Sequence, residues 1–297
     1  MSDLSSLDLR ATKVPHWLQR RENPSESANL PRRSEKMNTE SAERGGRKLI
    51  GMLTPSSNTV LEPFTAHMLE PLFPRVTAHF GRFRVTQIGL DEKANSQFAL
   101  PTIVAAAELL ADARCDVIAW NGTSASWLGF DSDERLCAAI TERTGIAATS
   151  AILSLNRLLK RLSVRRLGLV TPYTRDVQER IATNYASIGI EVVSEAHGGL
   201  SDNFSFAEVS EEEIERMCRD VAATGRPDAI AIVCTNMRGP LVAARLEARL
   251  GIPVLDSVAF TLWGCLDGLA VDMNPLGGFG SIFLDPADTT LPKQARG

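Results

Sequence analysis

Three segments of the sequence occur twice, in the same order along the chain. LIGMLTPSSNT (49–59) resembles RLGLVTPYTRD (166–176), DVIAWNGTSAS (116–126) resembles DAIAIVCTNMR (228–238), and TGIAATSAI (144–152) resembles LGIPVLDSV (250–258). The first two pairs begin with short apolar runs typical of buried strands and end in small polar residues. Three repeats in register predict two halves of similar structure.

Helix-length segments lie between these strand-like runs, for example LPTIVAAAELLADAR and VSEEEIERMCRDVAAT. Strands that alternate with helices predict right-handed βαβ units and a mostly parallel sheet. Ligands bind such sheets at the carboxyl ends of the strands. We therefore predict an α/β fold of two similar Rossmann-like domains with parallel sheets, related by pseudo-twofold symmetry, with the active site in the cleft between them.

The repeat also predicts the domain organisation. Residues 1–46 are rich in Ser, Asn, Glu, Arg and Pro and lack an apolar period, which is typical of a disordered or poorly ordered extension. Residues 47–153 are predicted to form the first α/β domain and residues 154–256 the second. The segment from about 257 to 290 is predicted to complete the first domain.

Composition limits the partners. The chain of 297 residues is 44% hydrophobic and carries a net charge of −4, so it has no basic surplus for nucleic acid. No run approaches the roughly 20 apolar residues that a membrane span needs. The five cysteines form no CxxC and the four histidines no metal-binding spacing, which predicts a cytoplasmic protein with no metal and no cofactor. A homo-oligomer is left open.

Several motifs carry a family resemblance. NGTSASW, TPYTRDVQERI and GIPVLDS resemble segments of arylmalonate decarboxylases, whereas TPSSNTVLEP and CTNMR resemble maleate cis-trans isomerases. Over about residues 47–285 the chain resembles this branch of the aspartate/glutamate racemase superfamily. The resemblance implies a cofactor-independent carbon-acid enzyme that acts on a small carboxylate or dicarboxylate through an enediolate.

The resemblance also implies a departure at the first of two catalytic positions. The racemases and isomerases use two cysteines on opposite faces of the substrate, and the decarboxylase keeps only the second. This chain has Gly122 and Cys234 at these positions. The pattern favours decarboxylation, because the departing carboxyl group leaves its electron pair behind and one acid suffices to protonate the enediolate. Maleate isomerase or Asp/Glu-type racemase activity is the alternative, and a non-catalytic carboxylate-binding protein is the second alternative.

The same resemblance implies a set of site residues. The predicted catalytic residues are Cys234, Thr123, Ser124 and Tyr173. The predicted substrate-binding residues are Thr54, Pro55, Ser56, Ser57, Asn58, Gly122, Thr235 and Asn236. Asn58 and Asn236 are isomerase features and support the alternative. Helix capping competes with anion binding as the role of Ser57 and Asn58, and Trp127, Phe130 and Met237 fit either a pocket wall or the core.

Two further expectations concern the thiols. The helix predicted after Cys234 would lower the pKa of its thiol through the helix dipole. The alignment of Gly122 with Cys234 predicts that a cysteine at position 122 would face the substrate from the opposite side. The remaining four cysteines lie in apolar patterns and are predicted to be structural.

Overall fold

A computed structural model describes residues 46–285, so the predicted N-terminal extension lies almost wholly outside the described residues. Two four-stranded parallel sheets form its centre, with the orders β2-β1-β3-β4 and β6-β5-β7-β8. The strands are β1 (Lys48–Pro55), β2 (Val76–Phe83), β3 (Val117–Trp120), β4 (Ala147–Ser150), β5 (Arg166–Thr171), β6 (Glu191–His197), β7 (Ala229–Ile232) and β8 (Val254–Asp256).

Helices connect the strands. They are α1 (Leu61–Leu69), α2 (Glu92–Ser96), α3 (Leu100–Asp112), α4 (Ala125–Leu128), α5 (Phe130–Thr144), α6 (Ala151–Arg161), α7 (Arg175–Ser187), α8 (Glu211–Gly225), α9 (Pro240–Leu250) and α10 (Ser257–Gly268). Short 3₁₀ turns occur at Glu70–Leu72, Ser205–Glu208, Asn274–Phe279 and Ser281–Phe283. No helix within residues 46–285 has the length and apolar character needed to cross a bilayer.

The repeated segments fall on equivalent strands of the two sheets. The first pair forms β1 and β5, the second β3 and β7, and the third β4 and β8. Because the strand order within each sheet is also equivalent, the predicted fold class of two similar α/β units is confirmed.

Local chemistry explains the third repeat. Gly145 ends α5 at φ +71° and Gly251 ends α9 at φ +68°, a left-handed conformation that glycine adopts without steric cost. At the ends of β4 and β8, Ser150 and Asp256 accept hydrogen bonds from the first amides of α6 and α10. The repeat thus preserves the residues that end one helix and begin the next.

The halves are joined by packing and by backbone pairing. Helix α10 packs against α6 and also contacts α1, β3 and β4 of the first half. Across the cleft, the segment after β2 pairs with the segment after β6. The amide of Ile88 donates to the carbonyl of Ser201 at 2.8 Å, and the amide of Asn203 donates to the carbonyl of Thr86 at 2.9 Å. These contacts bring the carboxyl ends of both sheets together.

Candidate active site

A small pocket lies where the carboxyl ends of the two sheets meet. It encloses about 280 Å³, including the part open to solvent. Seven predicted site residues line it, from the end of β1 and the loops after β3, β5 and β7: Pro55, Gly122, Thr123, Ser124, Tyr173, Cys234 and Thr235. The structure therefore brings the whole predicted catalytic set into one pocket.

Hydrogen bonds to its backbone amide and to its sulfur fix the position of Cys234. Its amide donates to the Ser257 hydroxyl at 2.9 Å, and that hydroxyl donates to the carbonyl of Ile232 at 2.7 Å. The amide of Asn236 donates to the Cys234 sulfur at 3.4 Å. The side chain is 3% exposed and reaches the pocket. The thiol is thus held in one place, with an N–H group aimed at its sulfur.

The thiol is protonated near neutral pH. Burial raises the pKa of the Cys234 thiol to about 12, and Asp256 adds to the rise, while the Asn236 amide and the Tyr173 hydroxyl lower it. The expectation that a helix dipole lowers this pKa is wrong. Helix α9 begins only at Pro240, and desolvation outweighs the amides near the sulfur. Such a group suits a proton donor better than a nucleophile.

Tyr173 connects the two halves of the pocket. Its hydroxyl lies 2.6 Å from the hydroxyl of Thr123 and is close enough to the Cys234 sulfur to lower the pKa of that thiol. Edge-on contacts with Trp127 and Phe206 hold the ring in place. Burial, with the charge of a nearby Cys234 thiolate, raises the pKa of Tyr173 well above 10, so the phenol keeps its proton. A hydrogen bond between Thr123 and Tyr173 therefore crosses the cleft beside Cys234.

Gly122 is covered by its neighbour Trp120. A Cβ atom at position 122 would lie only 1.8 Å from Cζ2 of Trp120, whose indole is fully buried against Phe83 and Phe98. At Gly122, the position equivalent to Cys234, the Trp120 indole thus occupies the space that a side chain would need. A cysteine at position 122 could face the substrate only if the Trp120 indole moved, so that expectation stays a prediction.

Five predicted substrate-binding residues do not line the pocket: Thr54, Ser56, Ser57, Asn58 and Asn236. The Thr54 hydroxyl donates to the carbonyl of Met52 at 3.3 Å, and the Ser57 hydroxyl donates to the carbonyl of Val85 at 2.8 Å. The Ser56 hydroxyl accepts a hydrogen bond from the amide of Val85 at 3.3 Å. These three side chains bond backbone atoms near the ends of β1 and β2, and their substrate-binding role stays a prediction.

The two asparagines connect the halves. Asn58 caps α1 through its Oδ1, which accepts from the amides of Val60 and Leu61, and its Nδ2 donates to the hydroxyl of Thr235 at 3.2 Å. Asn236 accepts from the amide of Thr59 at 2.9 Å and donates to the carbonyl of Asn203 at 2.6 Å. Both amide groups bond protein atoms here, so their role in carboxylate binding also stays a prediction.

Sequence reasoning missed part of the pocket wall. Val85, Ile88, Phe98 and Asn203 line the pocket from segments outside the repeat, and no motif marks them. Trp127 lines it as well, whereas Phe130 packs on Tyr185 and Met237 is buried outside the lining.

The lining combines donors with an apolar wall. The lining includes four hydroxyl-bearing residues beside the thiol, Thr123, Ser124, Tyr173 and Thr235, while Val85, Ile88, Phe98 and Trp127 supply apolar surface. Among residues 46–285, none with a charged side chain lines this pocket. A protonated thiol and neutral hydrogen-bond donors between two parallel-sheet units form a site of the class that can donate a proton and stabilise an oxyanion.

Comparison with known families agrees with this class. The family model described as arylmalonate decarboxylase matches residues 63–283, and the chain belongs to that family. The arylmalonate decarboxylase of Bordetella bronchiseptica is 27% identical over 236 residues, covering 79% of this chain and 95% of the relative. The maleate isomerase of Alcaligenes faecalis is 26% identical over 234 residues, covering 75% and 91%. The chain is thus almost equally identical in sequence to a decarboxylase and to an isomerase.

Solved structures show the same fold. The maleate cis-trans isomerase of Nocardia farcinica, solved with a covalently bound succinylcysteine intermediate, matches with a TM-score of 0.73 at 21% identity and covers 80% of this chain and 98% of that one. A crystal structure of arylmalonate decarboxylase matches with a TM-score of 0.64 at 25% identity, covering 79% and 98%.

Proposed function

We propose that the protein is a cofactor-independent decarboxylase of substituted malonates, with Cys234 as the proton donor. The observation that carries this proposal is that, among residues 46–285, Cys234 is the one cysteine that lines the pocket. By the motif resemblance, Gly122 corresponds to the first cysteine of the isomerases and racemases, and the Trp120 indole fills the adjoining space.

The charge distribution supports loss of carbon dioxide. A carboxylate bound against Val85, Ile88 and Trp127 would lose its hydration without gaining a cationic partner from the lining. Departure of carbon dioxide moves this charge away from the apolar wall, since the electron pair of the broken C–C bond remains on the α-carbon and the other carboxyl group. The resulting enediolate oxygens meet neutral donors at Thr123, Ser124 and Tyr173.

The proton then comes from the thiol. The S–H bond of Cys234 breaks, its proton forms the new C–H bond at the α-carbon, and the thiolate is stabilised by the amide of Asn236 and the hydroxyl of Tyr173. Solvent returns a proton to the sulfur before the next turnover. A thiol with a pKa of about 12 is fully protonated at neutral pH and ready to donate.

The test is NMR of the purified protein with methylmalonate, phenylmalonate and maleate in deuterated water. We expect carbon dioxide and a product with one deuterium at the α-carbon from a malonate, and no conversion of maleate. Conversion of maleate to fumarate without carbon dioxide would overturn the decarboxylase proposal and favour the isomerase. The Cys234→Ala variant, assayed in parallel, identifies any conversion that does not pass through the pocket.

A further inference from the structure

A second cavity lies in the first half of the molecule, among α3, α4 and α5. It encloses about 540 Å³, including the part open to solvent, and we call it the side pocket. Two of its lining residues, Leu100 and Leu128, are 43% and 39% exposed, so the cavity is open to molecules from solution. Its apolar lining consists of Phe98, Leu100, Ile103, Trp120, Leu128 and Leu136.

Two aromatic side chains separate the side pocket from the pocket at Cys234. Phe98 lines both cavities, and the Trp120 indole lines the side pocket and covers Gly122, which lines the other. The ring centroids of Phe98 and Trp120 lie 6.3 Å apart, so the two rings form one wall. A ligand of the side pocket is therefore a different molecule from the substrate held beside Cys234.

One buried acid in the side pocket lacks a partner. Asp133, in the first turn of α5, is 2% exposed and lines the cavity, and its Oδ2 atom has no hydrogen-bond donor within residues 46–285. Burial raises the pKa of Asp133 to about 7, and a hydrogen bond from Ser150 opposes the rise. The buried Tyr185 hydroxyl, whose pKa is raised by burial and by the charge of Asp133, also lacks a hydrogen-bond partner within the described residues. A buried carboxyl oxygen without a donor is costly, so this feature indicates a partner from outside the described chain.

The polar side chains on either side of Asp133 are already engaged. The Ser132 hydroxyl lines the cavity but donates to the carbonyl of Gly129 at 2.7 Å. The exposed Arg135 guanidinium also lines the cavity and pairs with Asp131. Among the lining residues within 46–285, Asp133 is therefore the charged residue that has no ion-pair partner.

The lining selects the chemistry of a ligand. Six apolar side chains match an apolar body, as in most small-molecule sites. The unpartnered oxygen needs a hydrogen-bond donor, and a hydrogen bond between ionised groups is about twice as strong as a neutral one. An ammonium group supplies both the donor and the opposite charge. We propose that the side pocket binds a small primary amine with an apolar body, whose ammonium group donates a hydrogen bond to Asp133.

The test compares three probes by calorimetry at pH 8, above the pKa of Asp133 of about 7, where its carboxyl group is charged. The probes are 2-phenylethylamine, 2-phenylethanol, and the N,N,N-trimethyl derivative of the amine, which keeps the charge but has no N–H donor. A charge-assisted hydrogen bond predicts that the amine binds about 10-fold more tightly than the other two. Equal affinity for all three would overturn the proposal without any variant.

Two variants locate the preference on Asp133. Asp133→Asn keeps the size of the side chain and removes its charge, so it should bring the affinity of the amine to that of the alcohol. Glu134→Gln makes the same change at the next residue, which is exposed and does not line the cavity, and should leave the preference intact. An unchanged preference in a folded Asp133→Asn protein would overturn the proposal.

A third variant distinguishes the two cavities. Cys234→Ala alters the pocket on the other side of the aromatic wall and should leave binding of the amine unchanged. Loss of amine binding in this variant would place the amine beside Cys234 and overturn the proposal. None of these measurements requires turnover of a malonate, so their outcome is independent of the proposed decarboxylase activity.

Discussion

The ends of β3 and β7 are equivalent strand ends with opposite contents. Strand β3 ends at Trp120 and continues into Asn121 and Gly122, and at the aligned positions β7 ends at Ile232 and continues into Val233 and Cys234. A large indole folds back over a glycine in the first half, whereas the second half places a thiol at the pocket. The same backbone arrangement can therefore present a thiol to the pocket in one half and place a buried aromatic ring at the equivalent position in the other.

The two threonines that follow behave alike. Thr123 is hydrogen bonded to Tyr173 of the other half at 2.6 Å, and Thr235 accepts from Asn58 of the other half at 3.2 Å. Each bond joins the loop after an inner strand to the opposite half. Symmetry is thus kept in the bonds that close the cleft and lost at the positions of chemistry.

Removal of the thiol should have the largest effect. Cys234→Ala is expected to lower kcat by about 10²–10⁴, because a general acid contributes on that scale. Carboxylate binding, measured by calorimetry, should persist. Cys218→Ala is the matched control, since this cysteine is buried in α8 outside the pocket lining. A Cys234→Ala protein with more than about a hundredth of the parent rate would show that the thiol is not the donor.

Loss of one phenol should come next. Tyr173→Phe is expected to lower kcat by about 10²-fold, because it removes a donor to the enediolate and to the thiolate. The chain has two tyrosines, and Tyr185→Phe provides the control. Tyr185 is as deeply buried, but its hydroxyl has no partner within residues 46–285 and does not line the pocket. Equal losses in both variants would indicate a packing role for Tyr173.

Substitution of Gly122, the counterpart of Cys234 in the first half, tests the difference between the halves directly. Gly122→Cys alone should destabilise the protein by about 1–3 kcal/mol through overpacking against Trp120, measured by denaturant unfolding. It should give no α-proton exchange. Adding Trp120→Ala should make room for the second thiol and permit deuterium exchange into a chiral α-substituted carboxylate, followed by NMR and chiral chromatography. Exchange by the single variant would mean that the indole moves aside easily.

The pH dependence should show the smallest change. A thiol donates only while protonated, and the raised pKa of Cys234, about 12, keeps it protonated throughout the neutral range. We therefore expect kcat/KM to show no thiol-dependent fall between about pH 6 and 9, whereas an unperturbed thiol near 8.5 would produce one. Alkylation of Cys234 at pH 8 should be correspondingly slow. A descending limb near pH 8.5 that vanishes in Cys234→Ala would contradict this.

Much of the fold and part of the site could be predicted from local sequence. The repeat located β1, β3, β4 and their counterparts because strand ends, helix caps and the two left-handed glycines are encoded by neighbouring residues. Parallel topology then required the loops after those strands to meet, and the predicted catalytic set lies together for that reason. Domain boundaries at 153 and 256 and the completion of the first unit by residues 257–290 stay predictions, to which the contacts of α10 with β3 and β4 give support.

Tertiary structure alone decided the chemistry available at these positions. Whether Asn58 and Asn236 reach a ligand depends on what else their amides can bond, and each lies near a backbone or hydroxyl group of the other half. Whether Cys234 is acidic depends on burial, which outweighs its local amides. Position 122 is closed because the Trp120 side chain folds back over it. Local sequence determines backbone conformation and strand ends, but desolvation and the filling of space depend on residues brought together only by folding.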